Sequence, residues 1–202
     1  MELRVKGVNV TPGYFRNDAK TAEAFDEEGF YKLGDAVKFV DPDRPERGLA
    51  FDGRTAEEFK LANGTWVSAG TVRVQAVAAT GGALSDAVVC GLNQNDIRLL
   101  GFLNEAWCRR LVGEDLPLSE LVNHPAVHDR IREGLGAHNK AHPNVSARVA
   151  RVLLQATPPL ADNGEITEKG YINQSRTQAL RQDEVERLYQ DAEPAPANLL
   201  IL

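Results

Sequence analysis

The sequence predicts an α+β protein in two parts, a β-rich stretch over residues 1–55 and a compact module over 56–202 in which a small sheet is packed by helices. Three observations carry this reading. Up to about residue 55, short alternating runs are separated by Pro and Gly, with one helical stretch among them. Beyond it, helical and strand periodicities take turns. The change falls on the segment 51–66, which holds two turn dipeptides, Asp52-Gly53 and Asn63-Gly64, suited to tight reversals.

In chain order, Leu3-Arg4-Val5-Lys6-Gly7 alternates apolar and polar as a half-buried strand does, and it starts at Met1 with no preceding turn, as a cut edge would. Asn17 or Asp18 caps a helix that runs to Glu28 and stops at Gly29. The run 30–40 reads as a strand with Gly34 in its middle, where another group is expected to approach the backbone closely. Pro42 and Pro45 punctuate a loop before the strand Gly48-Leu49-Ala50-Phe51. A short strand then leads to Asn63-Gly64.

The second part opens with a helix over Val67–Ala79, ended by Gly81-Gly82. Its buried side carries either Val72, Gln75 and Ala79 or Val74 and Val77. Strands over 86–91 and 96–103 form a hairpin through Asn93-Gln94-Asn95. Asn104 caps a helix to Val112. A longer helix from His124 or Pro125 to Ala141 carries Val127, Ile131 and Leu135 on one stripe. A strand over 145–154 and a single helix over 174–191 complete the module, and the Glu193-Pro194-Ala195-Pro196 tail is expected to be loose.

Composition narrows the classes. The 202 residues and 22.1 kDa allow one large or two small domains, and 43% hydrophobic with 26% charged content is that of a water-soluble globular chain. A net charge of -6 and a pI near 5.3 oppose a nucleic-acid partner held through phosphates. No run reaches membrane-spanning length and Met1-Glu2-Leu3-Arg4 has no signal pattern, so the cytoplasm is the expected location. Cys90 and Cys108 read as small buried thiols, since neither has a base or second thiol at motif spacing.

Histidines 124 and 128, and 138 and 142, lie at i, i+4 spacing that can hold zinc. Neither pair has the intervening Glu or a third ligand, so no metal site is assigned. Gly81-Gly82 is too short for a phosphate loop, and no nucleophile elbow is present. Taken locally, Asp35 is a turn carboxylate, Arg54 a solvated charge and Lys169 a turn residue in water.

The wording of several segments resembles a known family. Gly7 to Tyr14, Thr21 to Phe25, Tyr31-Lys32-Leu33-Gly34-Asp35, Asp52-Gly53-Arg54 and Gly164-Glu165-Ile166-Thr167-Glu168-Lys169-Gly170-Tyr171 are similar to the closing motifs of adenylate-forming enzymes. That superfamily contains acyl-CoA synthetases, peptide-synthetase adenylation domains and luciferases, and the spelling here is most similar to its feruloyl-CoA synthase branch. The resemblance implies that residues 1–55 are the tail of a large AMP-binding domain, and that 56–202 are the mobile C-terminal lid domain. It implies Asp35 on the ribose hydroxyls of AMP, Arg54 reaching the nucleotide, Ala56 at the hinge, and Lys60 and Gly64 on the face presented to CoA. It makes Lys169 the catalytic cation for acyl-adenylate formation.

ATP or AMP, CoA and Mg, the metal held mainly by ATP and the rest of such an enzyme, are the implied cofactors. An aromatic or other carboxylic acid is the implied substrate, and the phosphate loop and acid pocket would lie in a missing N-terminal domain. By that reading the isolated chain does not activate an acid. A non-catalytic module that binds CoA or a partner chain is the alternative.

Overall fold

The computed structural model describes the chain except Ala192 and the side chains of Asp52, Gly53, Arg54 and Ala56. The backbone divides into two compact units, Met1–Glu58 and Phe59–Leu202. The change of architecture expected between residues 55 and 56 corresponds to a division three residues later.

In the first unit, β1 (Glu2–Val5), β2 (Tyr31–Phe39) and β3 (Leu49–Arg54) form an antiparallel sheet in the order β1-β2-β3. The helix α1 is shorter than its composition suggests, spanning Asp18–Ala24, with the Asn17 side chain accepting from the Lys20 N–H. It ends because Phe25 turns extended and pairs with Tyr31, while Asp26 Oδ1 accepts from the N–H groups of Glu28 and Phe30. Gly29, at φ +77°, belongs to that carboxylate-built turn and not to a helix end. Gly34 is also not where the sequence argument put its cause. Among the described residues a Cβ there would meet nothing closer than the Thr55 hydroxyl at 3.9 Å, so glycine is needed for its φ of +73°.

The second unit begins with a ribbon, β4 (Glu58–Lys60) against β5 (Trp66–Ser68), and then α2 (Ala69–Ala79). Its centre is a sheet in the order β6-β7-β8-β9, formed by Leu84–Cys90, Ile97–Leu103, Val149–Leu154 and Leu199–Ile201. The β6–β7 and β8–β9 pairs are antiparallel and β7–β8 is parallel. The parallel pair needs a long crossover, supplied by α3 (Glu105–Val112), α4 (Leu118–Leu121) and α5 (Pro125–Ala141).

The strands' period of two sorts their residues between two cores. Ala87, Val89, Ile97, Leu99, Val152 and Leu154 face the layer of α2, α3 and α5, where Val72, Ala76, Cys108, Val127, Ile131 and Leu135 meet them. Val88, Cys90, Leu100, Phe102 and Leu153 face the opposite layer, with Ile172 and Leu188. The near-continuous apolar runs of β6 and β7 follow from this covering on both faces. Each such aliphatic side chain contributes roughly 1.5–3 kcal/mol of transfer free energy.

Three sequence expectations are corrected here. Of the two faces proposed for α2, the one through Val72 is buried while Val74 is exposed. The single helix expected over 174–191 is two, α6 (Gln174–Leu180) and α7 (Gln182–Tyr189), broken at Arg181. The absence of any expected element beyond Pro196 is corrected too: Asn198 Nδ2 donates to the Leu154 carbonyl, and β9 adds to the sheet with Leu200 fully buried.

Candidate functional site

In the first unit, Asp35 sits partly buried on β2, immediately after Gly34, at a position paired with residue 54 of β3. The strand register slips between Asp35 and Val37, and the Thr55 hydroxyl donates to the Gly34 carbonyl at 3.1 Å. A bulge of this kind re-aims the side chains beside it. Asp52-Gly53 is not the tight reversal expected from its composition, because the backbone there continues β3 to Arg54; the side chains of Arg54 and of Ala56, the expected hinge, lie outside those described.

In the second unit, Lys60 is exposed at the end of β4 with its ammonium 4.7 Å from the centre of the Trp66 ring. Gly64 closes the β4–β5 turn at φ +82°, its N–H donating to the Leu61 carbonyl at 2.9 Å. A Cβ on Gly64 would meet nothing within 4 Å among the described residues, so its backbone is open on that side. The loop after β6 secures this ribbon, with Asn93 N–H donating to Lys60 O and Ala62 N–H to Gln94 O.

Lys169 stands at the tip of a small hairpin whose arms meet at the Ile166–Ile172 bridge. The turn is closed by Thr167 N–H to Tyr171 O and Gly170 N–H to Thr167 O, both 2.8 Å, with Gly170 at φ +80°. Glu168, Lys169 and Gly170 are exposed, and among the described residues Lys169 has no ion-pair partner. No hydrogen bond or ion pair among the described residues joins this hairpin to Lys60 or Gly64.

The base of the hairpin holds the most buried ion pair in the described structure. Glu165 and Arg181 are 2% and 8% exposed, with Arg181 Nε 2.5 Å from Glu165 Oε1. Glu165 Oε2 accepts from the Leu160 N–H and the Asn163 amide, each at 3.0 Å. Burial by itself pushes the Glu165 carboxyl up; Arg181, Asn163 and the Leu160 N–H more than offset this and bring it down to about 2. Glu165 belongs to the Gly164–Tyr171 motif without any role legible in its spelling. An isolated Glu four residues before a Lys carries no local signal of a partner sixteen residues on.

Three of the four histidines have local hydrogen-bonding roles. His124 caps α5 through Nδ1 to the Ala126 N–H, His128 Nε2 lies 2.7 Å from Val122 O, and His138 Nε2 lies 3.0 Å from Ala147 O. Among the described residues no three His, Cys, Asp or Glu side chains converge to hold a metal. No helix of the described residues is long and apolar enough to cross a membrane.

No family model matches the chain. In sequence it is 40% identical over 67 residues to human long-chain-fatty-acid–CoA ligase 1, an alignment covering 33% of this chain and 9% of that enzyme. It is 37% identical over 67 residues to the carboxylic acid reductase of Segniliparus rugosus, covering 33% of this chain and 5% of the reductase. A probable 4-coumarate–CoA ligase of Dictyostelium discoideum is 32% identical over 96 residues, 48% of this chain and 16% of that one. The matches thus span only a small part of each relative. In fold, the chain is similar to the A domain of the Segniliparus rugosus reductase, solved with AMP and a co-purified carboxylic acid. The TM-score is 0.71 and the identity 21%, over 93% of this chain and 28% of that one. The A domain of a Mycobacterium chelonae carboxylate reductase gives 0.72 at 22% identity, over 94% and 28%. The relatives in sequence are acyl-CoA ligases and carboxylic acid reductases, which supports an adenylate-forming, ligase-type family for this chain.

Proposed function

We propose, from the premise that this chain is kin to the adenylate-forming enzymes, that it is the C-terminal portion of a cytoplasmic AMP-forming acid:CoA ligase acting on a hydroxycinnamate of the feruloyl type. The supporting observation is the sequence likeness to three kinds of acid-activating enzyme, with a 4-coumarate–CoA ligase among them, together with one exposed, unneutralised lysine on a closed turn.

In the first half-reaction the carboxylate oxygen of the acid attacks the α-phosphorus of ATP, pyrophosphate leaves, and acyl-AMP forms. Charge builds on the α-phosphoryl oxygens and the departing pyrophosphate while the carboxylate gives its charge up, so a fixed cation there lowers the barrier, and Lys169 is the group assigned to it. The residues fit a nucleotide: a carboxylate such as Asp35 can accept from two ribose hydroxyls at once, and Arg54 brings a planar, permanently charged fork. Mg is assigned to the ATP phosphates and to parts of the enzyme outside this chain. In the second half-reaction the CoA thiol displaces AMP from the acyl carbon. The open backbone of Gly64 and the neighbouring Lys60 are the face offered to CoA, reached by a turn about Ala56.

The test uses an enzyme carrying this chain behind its amino-terminal part. Lys169→Ala should lower acyl-adenylate formation by roughly 10²–10³-fold, measured as pyrophosphate release, and leave thioester formation from supplied acyl-AMP largely intact. Equal loss in both half-reactions removes Lys169 from the role. Turnover of acid, ATP and CoA by the 202-residue chain alone would refute the view that it is only part of the machinery.

A further inference from the structure

A lysine on a flexible four-carbon stem delivers its charge to one place only if the turn that carries it is itself held. The turn's own hydrogen bonds fix its shape and leave its direction to the two feet of the hairpin. We propose that Arg181, acting through the buried Glu165 carboxylate, is the positioning residue that aims the Lys169 turn. This deepens the assignment of Lys169 above and rests on it.

Arg181 occupies the junction where α6 stops and α7 starts, at φ -113° and ψ 37°, so its Cα is locked between two helices. Its guanidinium reaches Glu165 Oε1 at 2.5 Å and Oε2 at 3.3 Å, Gln155 Oε1 at 3.0 Å, Thr157 O at 2.9 Å and Pro158 O at 3.0 Å. The Phe102 ring lies 5.0 Å from the guanidinium carbon. One side chain thus ties the end of β8, the loop after it and the helix junction to a single carboxylate.

Glu165 is the residue from which the first arm of the hairpin leaves, and its own carbonyl accepts from the Asn173 N–H at 2.8 Å where the second arm ends. Beyond that arm, the Gln174 amide lies along the edge of β6 as an added strand would. Its Oε1 accepts from Val89 N–H and its Nε2 donates to Ala87 O, both 2.9 Å. Both feet are therefore pinned to the sheet's surroundings while Glu168, Lys169 and Gly170 stay in solvent.

A buried ion pair is a poor source of stability, because desolvation of both charges offsets their attraction, and apolar residues of similar volume would often serve as well. Its distinguishing property is direction. A planar fork on a carboxylate fixes distance and angle together, which apolar packing does not.

The test is native-state hydrogen exchange on the 202-residue chain and its Arg181→Lys and Glu165→Gln variants. Lysine keeps the charge and loses the fork; glutamine keeps the shape and loses the charge. The expected result is exchange at least about ten-fold faster at the Thr167, Gly170 and Asn173 amides, with the β7 amides unchanged. Hairpin amides that keep their original rates in the variants overturn the proposal. Loss of β7 protection together with the hairpin also overturns it, since the pair would then be supporting the whole unit. In the enzyme carrying its amino-terminal part, Arg181→Lys should reduce adenylation about ten-fold and spare thioester formation from acyl-AMP. If Lys169→Ala leaves adenylation intact, the role of Lys169 falls while the exchange result still decides whether Arg181 aims the turn.

Discussion

Two glycines of α5 offer a test of the second unit's packing in which one substitution should act with opposite signs two residues apart. A Cβ on Gly134 would lie 2.2 Å from the Ala79 carbonyl oxygen, 2.8 Å from the carbonyl carbon and 2.9 Å from the Thr80 Cα. All three are backbone atoms at the end of α2, so no side chain can swing away and the helices must part. Overpacking of this kind costs roughly 1–3 kcal/mol, occasionally more, against a gain of about 1 kcal/mol for replacing a mid-helix glycine by alanine. The 2.2 Å approach to a backbone atom puts the cost at the upper end, so Gly134→Ala should destabilise by about 2 kcal/mol net. Among the described residues a Cβ on Gly136 meets nothing within 4 Å, so Gly136→Ala keeps only the helical gain and should stabilise by about 0.5–1 kcal/mol. At about 2–4 °C per kcal/mol the two melting temperatures should stand several degrees apart on either side of the parent. Trp66 and Trp107 both lie in Phe59–Leu202, so tryptophan fluorescence during heat or urea unfolding reports that unit. Shifts of the same sign for both variants would refute the close α2–α5 approach.

Two further outcomes follow from charge and burial. The folded Glu165 carboxyl sits at about 2 against an ordinary 4.5, a depressed value, so its contribution is complete above the ordinary value and is lost as pH falls from about 4.5 towards about 2. Acid titration of stability should show that slope, and Glu165→Gln should flatten it; an unchanged slope would mean that other carboxylates govern the window. Burial pushes Cys90 up to about 12, and burial followed by the Glu105 charge pushes Cys108 up to about 11. A thiol reagent at pH 8 should leave both unmodified in the native chain and label both in urea, and prompt native labelling of either contradicts its burial.

Much of the second unit was readable because its signals are local. The stripe of Val127, Ile131 and Leu135, the Asn104 cap and the Asn93-Gln94-Asn95 turn each occupy a few consecutive residues, and all appear in the structure as the periodicity and turn chemistry require. The candidate site was only half readable in this sense. The motif around Lys169 is visible as a string, and so is the turn that Gly170 permits. The anchoring of its feet depends on Arg181, Gln155 and Gln174, residues that look like surface polar groups on a helix or strand end.

What the sequence determined alone was the α+β class, the set of residues able to fill a core, and the family wording, since all three are carried by spacing along the chain. Tertiary structure decided where local preference is outvoted. The helix over 174–191 breaks at Arg181 where the guanidinium serves Glu165, Gln155 and two carbonyls. The last residues join the sheet because Leu199 and Leu200 bury themselves on its two faces while β8 offers an unpaired edge. In both places the partners are distant in sequence, and a buried charge or a bare strand edge is satisfied only when the folded chain brings them together.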